Sequence, residues 1–158
     1  ILIFNQYFFH YKLNLFLKDF NFFGTKGCLK KYFKSPQWLR NIKNKKYNFL
    51  RIDTFFSDKK YNNIEFIKNG GWHFSNIMDE YQIVYKLKSY AHHAEFPQNK
   101  LDKSVFKRLI EKRKIMYDHK ADSKKDKYSH EVDLNIFDRD LLPSYIKKEE
   151  KKFAKWLI

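Results

Sequence analysis

The sequence predicts an α/β fold, in which short strands and helices alternate along one domain that spans residues 1–158. Hydrophobic residues make up 43% of the chain and aromatic residues 20%, which is enough apolar material for a buried core. Apolar and aromatic side chains fill the opening segment, residues 1–18, as is typical of strands. By contrast, the segments that follow Asp79 and Asp102 carry apolar residues at helical spacing. No internal repeat or linker divides these segments, so a single domain is expected.

Strands are expected to dominate the first half of the chain. The opening segment should form one or two strands, broken near His10. Ser35 followed by Pro36 is a favourable N-cap and first-turn pair for a helix. A later apolar segment is expected to be a strand that carries Asp53. The predicted strands cover residues 1–18, 49–56 and 64–68, and the predicted helices cover residues 27–34 and 36–43.

The second half of the chain is expected to be largely helical. Asp79 can cap a helix that runs to about residue 92, and Asp102 can cap the next one. Pro143 can open a last helix over residues 144–156, whose charged residues should face solvent. In the first two helices the apolar side chains share one face, which should pack on the core. These side chains are Ile83, Val84, Leu87, Tyr90 and Ala91 in the first helix and Val105, Phe106, Leu109 and Ile110 in the second.

The most informative motif is the run Gly70-Gly71-Trp72-His73-Phe74-Ser75. Two glycines in succession indicate a backbone that must bend or lie close to another group. An indole beside an imidazole is a pairing that suits a sugar or nucleotide pocket. A turn followed by a buried tryptophan would give the same pattern through ordinary packing. Spacing alone leaves both interpretations of Trp72 and His73 open.

Six segments of the chain, in the same order, resemble motifs of glycosyltransferase family 17. This family comprises the β-1,4-mannosyl-glycoprotein β-1,4-N-acetylglucosaminyltransferases and their bacterial and viral relatives. The first three segments resemble a Tyr-x-Leu-Asn strand, a Trp-x-Gly-Thr turn with Phe in place of Trp, and a short helix that ends in Arg. The last three resemble the Gly-Trp-His-Phe-Ser signature, a Lys-Leu-x-Ser-Tyr-Ala-His run and a closing Leu-Pro-x-Tyr-Ile. The matching segments are Tyr11-Lys12-Leu13-Asn14, Phe23-Gly24-Thr25-Lys26, Pro36-Gln37-Trp38-Leu39-Arg40, Gly70 to Ser75, residues 86–92 and Leu142-Pro143-Ser144-Tyr145-Ile146.

The chain departs from the family pattern in two places. The family usually has one residue between the His of the Ser-x-x-His run and the following Glu, whereas His93 and Ala94 both separate His92 from Glu95 here. Either His92 or His93 could therefore fill the family position. The family's acidic Asp-x-Asp-type motif also precedes the Tyr-x-Leu-Asn strand, and no such motif lies before Tyr11. We expect this chain to be the C-terminal part of a larger transferase and to be inactive by itself.

The resemblance implies the C-terminal portion of a GT-A-like fold, with a mixed sheet and flanking helices. The whole enzyme would transfer a sugar from a UDP-sugar donor to a glycan acceptor, with inversion of configuration at the anomeric carbon. The expected sugar is N-acetylglucosamine. A divalent metal ion, which we expect to be Mn²⁺, would stabilise the negative charge of the leaving diphosphate. Its main carboxylate ligands would lie upstream of this chain. The expected partners are therefore the UDP-sugar donor and the glycan acceptor.

The same resemblance gives individual residues candidate roles. An inverting transferase needs a carboxylate to take the proton of the acceptor hydroxyl, and Glu95 is the candidate base. His92 is the candidate metal ligand. Each assignment competes with an ordinary structural role, such as a histidine bonded to backbone, a core tryptophan or a solvated surface cation. The candidates for substrate binding are Trp72, His73, Ser75, Arg40 and Lys86.

A net charge of +15 supports a rival interpretation, a basic, aromatic-rich nucleic-acid-binding module. Lysines are interleaved with aromatic residues over residues 26–34 and again over residues 43–47. Solvated lysines in a lysine-rich chain explain the same pattern, and no recognised nucleic-acid-binding motif accompanies it. No nucleic acid partner is therefore expected. A third interpretation is the inactive remnant of a transferase.

Several classes of protein are disfavoured by what the sequence lacks. The single cysteine, Cys28, excludes an intrachain disulfide and a cysteine-based zinc finger, and mildly favours a reducing compartment. The P-loop, Gly-x-Gly-x-x-Gly and Gly-x-Ser-x-Gly motifs are absent, which argues against an ATPase, a dehydrogenase or a serine hydrolase. No apolar run approaches the roughly 20 residues that a membrane-spanning helix needs.

Overall fold

The computed structural model of the protein describes residues 1–89, 96–121 and 126–158. Within these ranges it is a mixed α/β structure with antiparallel strand pairs, which confirms the predicted fold class at that level. The strands are β1 (Leu2–His10), β2 (Leu15–Phe16), β3 (Phe22–Gly27), β4 (Glu65–Ile67), β5 (Trp72–Ser75), β6 (Lys114–Ile115), β7 (Val132–Asp133) and β8 (Asn135–Ile136). The α-helices are α1 (Pro36–Asn41), α2 (Glu80–Ser89), α3 (Lys103–Glu111), α4 (Ser144–Lys148) and α5 (Glu150–Phe153). Shorter 3-10 turns cover Lys30–Tyr32, Ile52–Thr54, Gln98–Lys100, Arg139–Leu141 and Ala154–Trp156.

Contacts between residues divide the chain into two compact units. Unit 1 comprises Ile1–Tyr7 and Asn21–His73, and unit 2 comprises Phe8–Phe20 and Phe74–Ile158. The first strand, β1, therefore contributes its first residues to unit 1 and its last residues to unit 2. The single domain stays a prediction of the sequence.

In unit 1, β1 pairs with two other strands. It is antiparallel to β3, with Leu2 opposite Gly27, and the register shifts between Phe4 and Gln6. It is parallel to β4, with Leu2 opposite Glu65. The strand predicted over residues 64–68 is confirmed as β4.

The core of unit 1 is built from three isoleucines that are distant in sequence. Ile3, Ile42 and Ile64 are at most 3% exposed and pack into one cluster. Trp38 and Tyr61 are partly buried against this cluster, and the Trp38 Nε1 donates a hydrogen bond of 3.0 Å to the Tyr61 hydroxyl. The removal of these side chains from water makes the main favourable contribution to the free energy of folding of unit 1.

The helix predicted from Ser35 and Pro36 is confirmed as α1. The Ser35 Oγ accepts a hydrogen bond of 3.1 Å from the backbone N–H of Trp38, and Pro36 occupies the first turn. The helix ends at Asn41, earlier than the predicted residue 43. The first residue of the helix, which the Ser35-Pro36 pair indicates, was therefore predicted more accurately than its last residue.

Three local predictions for unit 1 are wrong. Residues 49–56 form exposed turns around Ile52–Thr54 rather than a strand, because an apolar run becomes a strand only where a partner strand pairs with it. Within them, Asp53 accepts hydrogen bonds from Arg51 and Lys60. Residues 27–34 contain a short 3-10 turn instead of the predicted helix. The turn expected over residues 23–26 lies within β3.

In unit 2, the strand pairs are antiparallel. Phe9 of β1 lies opposite Phe16 of β2, and β2 continues to β8, where Leu15 lies opposite Ile136. A second two-stranded sheet joins β6 and β7. The rings of Phe9 and Phe137 meet edge to face, with their centroids 5.0 Å apart. Aromatic side chains therefore fill much of the space beside these strands.

The turn between β1 and β2 is buried. The break predicted near His10 is confirmed, because β1 ends there and Tyr11 adopts a left-handed φ of 65°. Residues 11–14 therefore form a turn, and the strand expected for them is wrong. The buried Asn14 donates from Nδ2 to the backbone oxygen of Ile158 and accepts from its N–H, at 3.0 Å and 2.9 Å. Burial, followed by the charge of Glu131, raises the pKa of the Tyr11 hydroxyl.

The two long helices of unit 2 begin where the sequence predicts. The Asp79 carboxylate accepts from the backbone N–H of Gln82 at 2.9 Å, and the Asp102 carboxylate accepts from that of Ser104 at 2.7 Å. The two helices pack against each other through their apolar faces. The buried side chains are Ile83 and Leu87 in α2 and Phe106 and Leu109 in α3. Tyr90 and Ala91, predicted for the same face of α2, lie outside the described residues.

The helix predicted over residues 144–156 is divided into three short pieces. Pro143 precedes α4 as predicted, and α4 gives way to α5 at Glu149, whose φ and ψ are −106° and 33°. A 3-10 turn, Ala154–Trp156, follows α5. This division brings Trp156 next to the buried turn, where its carbonyl accepts from the N–H of Leu13 at 2.8 Å.

Candidate functional site

Gly70 and Gly71 shape the turn before Trp72 in unit 1. Gly71 has a φ of 137°, a conformation that residues with a side chain rarely adopt. A Cβ added to Gly70 would lie 2.9 Å from the Cβ of Phe4 and 3.0 Å from the carbonyl oxygen of Ile67. The bend and the close approach that the sequence predicts are therefore both present.

Trp72 and His73 follow this turn at the start of β5. Trp72 is 41% exposed, so it is not a core tryptophan. His73 is partly buried, and its ring centroid lies 4.0 Å from that of Phe22 with 31° between the two planes. Packing against Phe22 restricts the imidazole. Trp72 therefore presents an exposed indole, and Phe22 positions the imidazole of His73.

Phe22 also lines a groove of about 590 Å³ in unit 1, and Arg40 and Lys26 line the same groove. The Lys26 ammonium donates to the carbonyl oxygens of Arg40 and Ile42 at the end of α1. Burial, followed by the charge of Lys43, lowers the pKa of Lys26. The Arg40 side chain is exposed. The groove thus combines apolar walls with an exposed guanidinium, which suits a planar or anionic ligand.

The remaining two candidates, Ser75 and Lys86, lie in unit 2. The Lys86 Nζ donates a hydrogen bond of 2.7 Å to the Asn76 Oδ1. The Asn76 Nδ2 lies 3.1 Å from the Nε2 of the buried His10. The Ser75 carbonyl accepts from the backbone N–H of Tyr11 at 3.3 Å, so its backbone has a structural role. A chain of polar side chains therefore reaches from the exposed ammonium to a buried imidazole.

An open groove of about 890 Å³ follows the exposed face of α2. This face is opposite to the one that buries Ile83 and Leu87. Tyr81 and Tyr85, one helical turn apart, are 63% and 75% exposed. The groove is lined by Ile77, Met78, Tyr81, Gln82, Tyr85, Lys86, Ser89 and Trp156.

Positive charge surrounds the aromatic rings of this groove. The Lys103 Nζ lies 4.3 Å from the centre of the Tyr81 ring and donates to its hydroxyl at 2.6 Å. The Lys12 and Lys155 ammonium groups lie 5.9 Å and 4.9 Å from the centre of the Trp156 ring. The α2 groove therefore combines flat aromatic surfaces with nearby lysine ammonium groups.

The structure separates the sequence candidates into three sets. The candidate base and the candidate metal ligand, Glu95 and His92, lie outside the described residues, as does His93. The family resemblance also predicts that His92 lies in the same pocket as Trp72 and His73, and this stays a prediction because His92 lies outside the described residues. The candidates for substrate binding are Trp72, His73 and Arg40 in unit 1 and Ser75 and Lys86 in unit 2.

Three aromatic residues of the α2 groove were not among the sequence candidates. Tyr81 and Tyr85 carry a signal that could have found them, because large side chains four positions apart lie on the helix face opposite to the apolar one. Trp156 carries no such signal, since it is far from α2 in sequence and reaches the groove only through the fold of the C-terminal segment.

Within the described ranges, no group of three or more His, Cys, Asp or Glu side chains is placed to hold a metal ion. The expected ligands of the Mn²⁺ ion, His92 and carboxylates upstream of the chain, are not among these residues. In the same part of the chain, no helix is long and apolar enough to cross a lipid bilayer.

Comparison with models of known protein families, with curated proteins and with solved structures found no match to this chain. The structure defines a mixed α/β protein with an aromatic and cationic groove in each unit.

Proposed function

We propose that this chain is the C-terminal part of a GT-A-type, nucleotide-sugar-dependent glycosyltransferase similar to family 17, and that the α2 groove binds its glycan acceptor. The observation that carries the proposal is the position of Lys86. This residue opens the family-like Lys-Leu-x-Ser-Tyr-Ala-His run and lines the groove beside Tyr81, Tyr85 and Trp156. The resemblance and the groove thus point to the same helix.

The chemistry of the groove suits a carbohydrate. A pyranose ring carries C–H groups on its faces and hydroxyl groups around its edge. Tyr85 and Trp156 offer flat surfaces for the faces, and Gln82 and Ser89 offer donors and acceptors for the hydroxyl groups. A volume of about 890 Å³ lies in the range of small-ligand sites and leaves room for more than one sugar residue.

The proposed reaction is a displacement at the anomeric carbon of the donor sugar. The acceptor hydroxyl attacks from the face opposite the diphosphate, and a carboxylate, for which Glu95 is the candidate, takes its proton. The bond between the anomeric carbon and the phosphate oxygen breaks, and UDP leaves with the electron pair. Nearby cations stabilise the charge that develops on the diphosphate. Lys86, which lines the α2 groove, is the candidate for this role in unit 2.

Binding of an N-glycan core to the purified chain tests the acceptor assignment. We expect saturable binding in a calorimetric titration, and Tyr85→Ala should weaken it about tenfold or more, because a stacking surface near the centre of a site commonly contributes at least that much. Tyr145→Ala is the matched control, since Tyr145 is 58% exposed but lies outside the groove. Equal effects of the two substitutions, or no glycan binding by the unmodified chain, would contradict the assignment.

A further inference from the structure

Residues 47–61 of unit 1 form a loop that we name the apolar loop. Its two ends are held together by a backbone hydrogen bond of 3.1 Å from the N–H of Tyr47 to the carbonyl of Tyr61. A second bond, 2.8 Å from the N–H of Lys43 to the carbonyl of Lys59, lies just beside it. A loop with joined ends projects its intervening residues from the surface.

The apolar loop exposes large hydrophobic side chains that surface loops rarely expose together. All five are between 67% and 88% exposed, and Phe56 is the most exposed of them. Single exposed apolar residues are ordinary, but a contiguous set marks an interaction surface. The five side chains belong to Phe49, Leu50, Ile52, Phe55 and Phe56.

The shape of the apolar loop depends on its polar groups and not on these side chains. The backbone N–H groups of Thr54 and Phe55 donate to the carbonyls of Arg51 and Ile52, each at 3.1 Å. The Asp53 carboxylate accepts from the Arg51 guanidinium at 2.8 Å. These polar groups already have hydrogen-bond partners within the loop. The free-energy cost of moving the loop tip from water into a less polar medium is therefore lower than it would be for unpaired groups.

The residues around the apolar loop carry a net positive charge. Residues 43–60 contain six basic and two acidic residues, which gives +4. Three cations surround one ring: Lys45 Nζ, Arg51 Cζ and Lys60 Nζ lie 5.8 Å, 5.5 Å and 5.9 Å from the centre of Tyr47. Apolar side chains at the tip and cations near the base are the features of a segment that binds an anionic membrane surface.

We propose that the apolar loop docks unit 1 onto an anionic lipid bilayer, with Phe55 and Phe56 among the upper acyl chains and the lysines at the lipid headgroups. Leu50 and Ile52 favour a lipid over a nucleic acid, because aliphatic side chains do not stack on bases as aromatic rings do. The charge disfavours a second copy of the chain, since a symmetric contact would place two +4 surfaces together. The proposal does not depend on the glycosyltransferase assignment.

Co-sedimentation of the full chain with lipid vesicles tests this proposal. We expect binding to phosphatidylcholine vesicles that contain about one third phosphatidylserine, and much weaker binding to phosphatidylcholine alone, because each basic residue near the surface contributes about fivefold. Phe55→Ser with Phe56→Ser should lower the partition coefficient at least about tenfold. Phe55→Leu with Phe56→Leu should retain most of the binding, and Tyr145→Ser, an exposed aromatic residue in unit 2, should retain all of it.

The result that overturns the proposal is failure of the unmodified chain to bind the anionic vesicles, or binding that the double serine variant leaves unchanged. Two further outcomes also overturn it. One is concentration-dependent self-association, in analytical ultracentrifugation, that the double serine variant abolishes. The other is a loss of DNA binding in that variant equal to its loss of vesicle binding. Circular dichroism of each variant confirms that the substitutions, which affect only exposed side chains, leave the fold intact.

Discussion

The Lys86 ammonium donates a hydrogen bond of 2.7 Å to the Asn76 Oδ1, and Asn76 in turn lies 3.1 Å from the Nε2 of the buried His10. Asn76 comes directly after the Trp-His-Phe-Ser segment, and Lys86 lies two turns into α2. The residue that follows one family-like segment is therefore in direct contact with the first residue of another. The contact positions an exposed cation in the α2 groove.

The backbone at Asn76 gives the first prediction. Asn76 adopts a φ of 51°, a region that asparagine and glycine tolerate better than alanine. Asn76→Ala should lower the free energy of unfolding by about 1–3 kcal/mol, because it loses both side-chain bonds and strains the backbone. Asn76→Gly keeps the backbone geometry and should cost less. Urea denaturation measures both, and an alanine variant as stable as the glycine variant would disprove the backbone part of this explanation.

The two glycines before Trp72 give the second prediction. Gly70→Ala places a methyl group against Phe4, and Gly71→Ala strains a φ of 137°, so each should cost about 1–3 kcal/mol of stability. Gly27→Ala is the control, because a Cβ there would lie 3.7 Å from the nearest atom, the Cε2 of Phe4. We expect the control to change the unfolding free energy by less than about 0.5 kcal/mol. If all three variants lose equal stability, the special geometry assigned to Gly70 and Gly71 is wrong.

The carboxylate of the apolar loop gives a prediction about pH. Hydrogen bonds from Arg51 and then from Lys60 lower the pKa of Asp53 to about 2. A carboxyl group with a lowered pKa in the folded state stabilises that state above its ordinary pKa, and this stabilisation is lost as the pH falls towards 2. NMR titration of the Asp53 carboxyl carbon should show the low midpoint. Arg51→Gln with Lys60→Gln should return it towards the ordinary value, and a midpoint that does not move would refute the assigned cause.

The net charge of +15 gives a prediction about nucleic acid. If the lysines act only as solvated cations, binding to random-sequence DNA should be weak and should vanish at moderate salt, as expected of phosphate contacts alone. Fluorescence anisotropy across a series of salt concentrations measures this. Submicromolar, sequence-selective binding at physiological salt would favour the nucleic-acid-binding interpretation over the transferase.

Local signals in the sequence predicted the starts of the helices well. Ser35, Asp79 and Asp102 each place an oxygen on the first turn of a helix, and this interaction depends only on the next few residues. The segment over residues 49–56 was predicted incorrectly for the opposite reason. Whether an apolar run becomes a strand depends on a partner strand elsewhere, which local composition does not show.

The residues of the candidate site were likewise predictable where the signal was local in sequence, and not where it depended on distant parts of the chain. Lys86 could be identified from the motif around it, because its role was implied by its neighbours in sequence. Trp156 could not be identified, since it joins α2 only after the last helix has been divided at Glu149 and the C-terminus has been tied to Asn14. Glycine positions were informative in advance, because only glycine fits the backbone there.

The indole N–H signal of Trp156 provides the most direct measurement of the central claim, that the α2 groove is a carbohydrate site of a glycosyltransferase. In a ¹H–¹⁵N NMR titration with an N-glycan core, we predict a saturable shift of this signal together with the backbone signals of Tyr85 and Lys86. Tyr85→Ala should reduce the shift, whereas Tyr145→Ala should not. A Trp156 signal that stays unchanged at saturating glycan, while the fold remains intact, would contradict the claim.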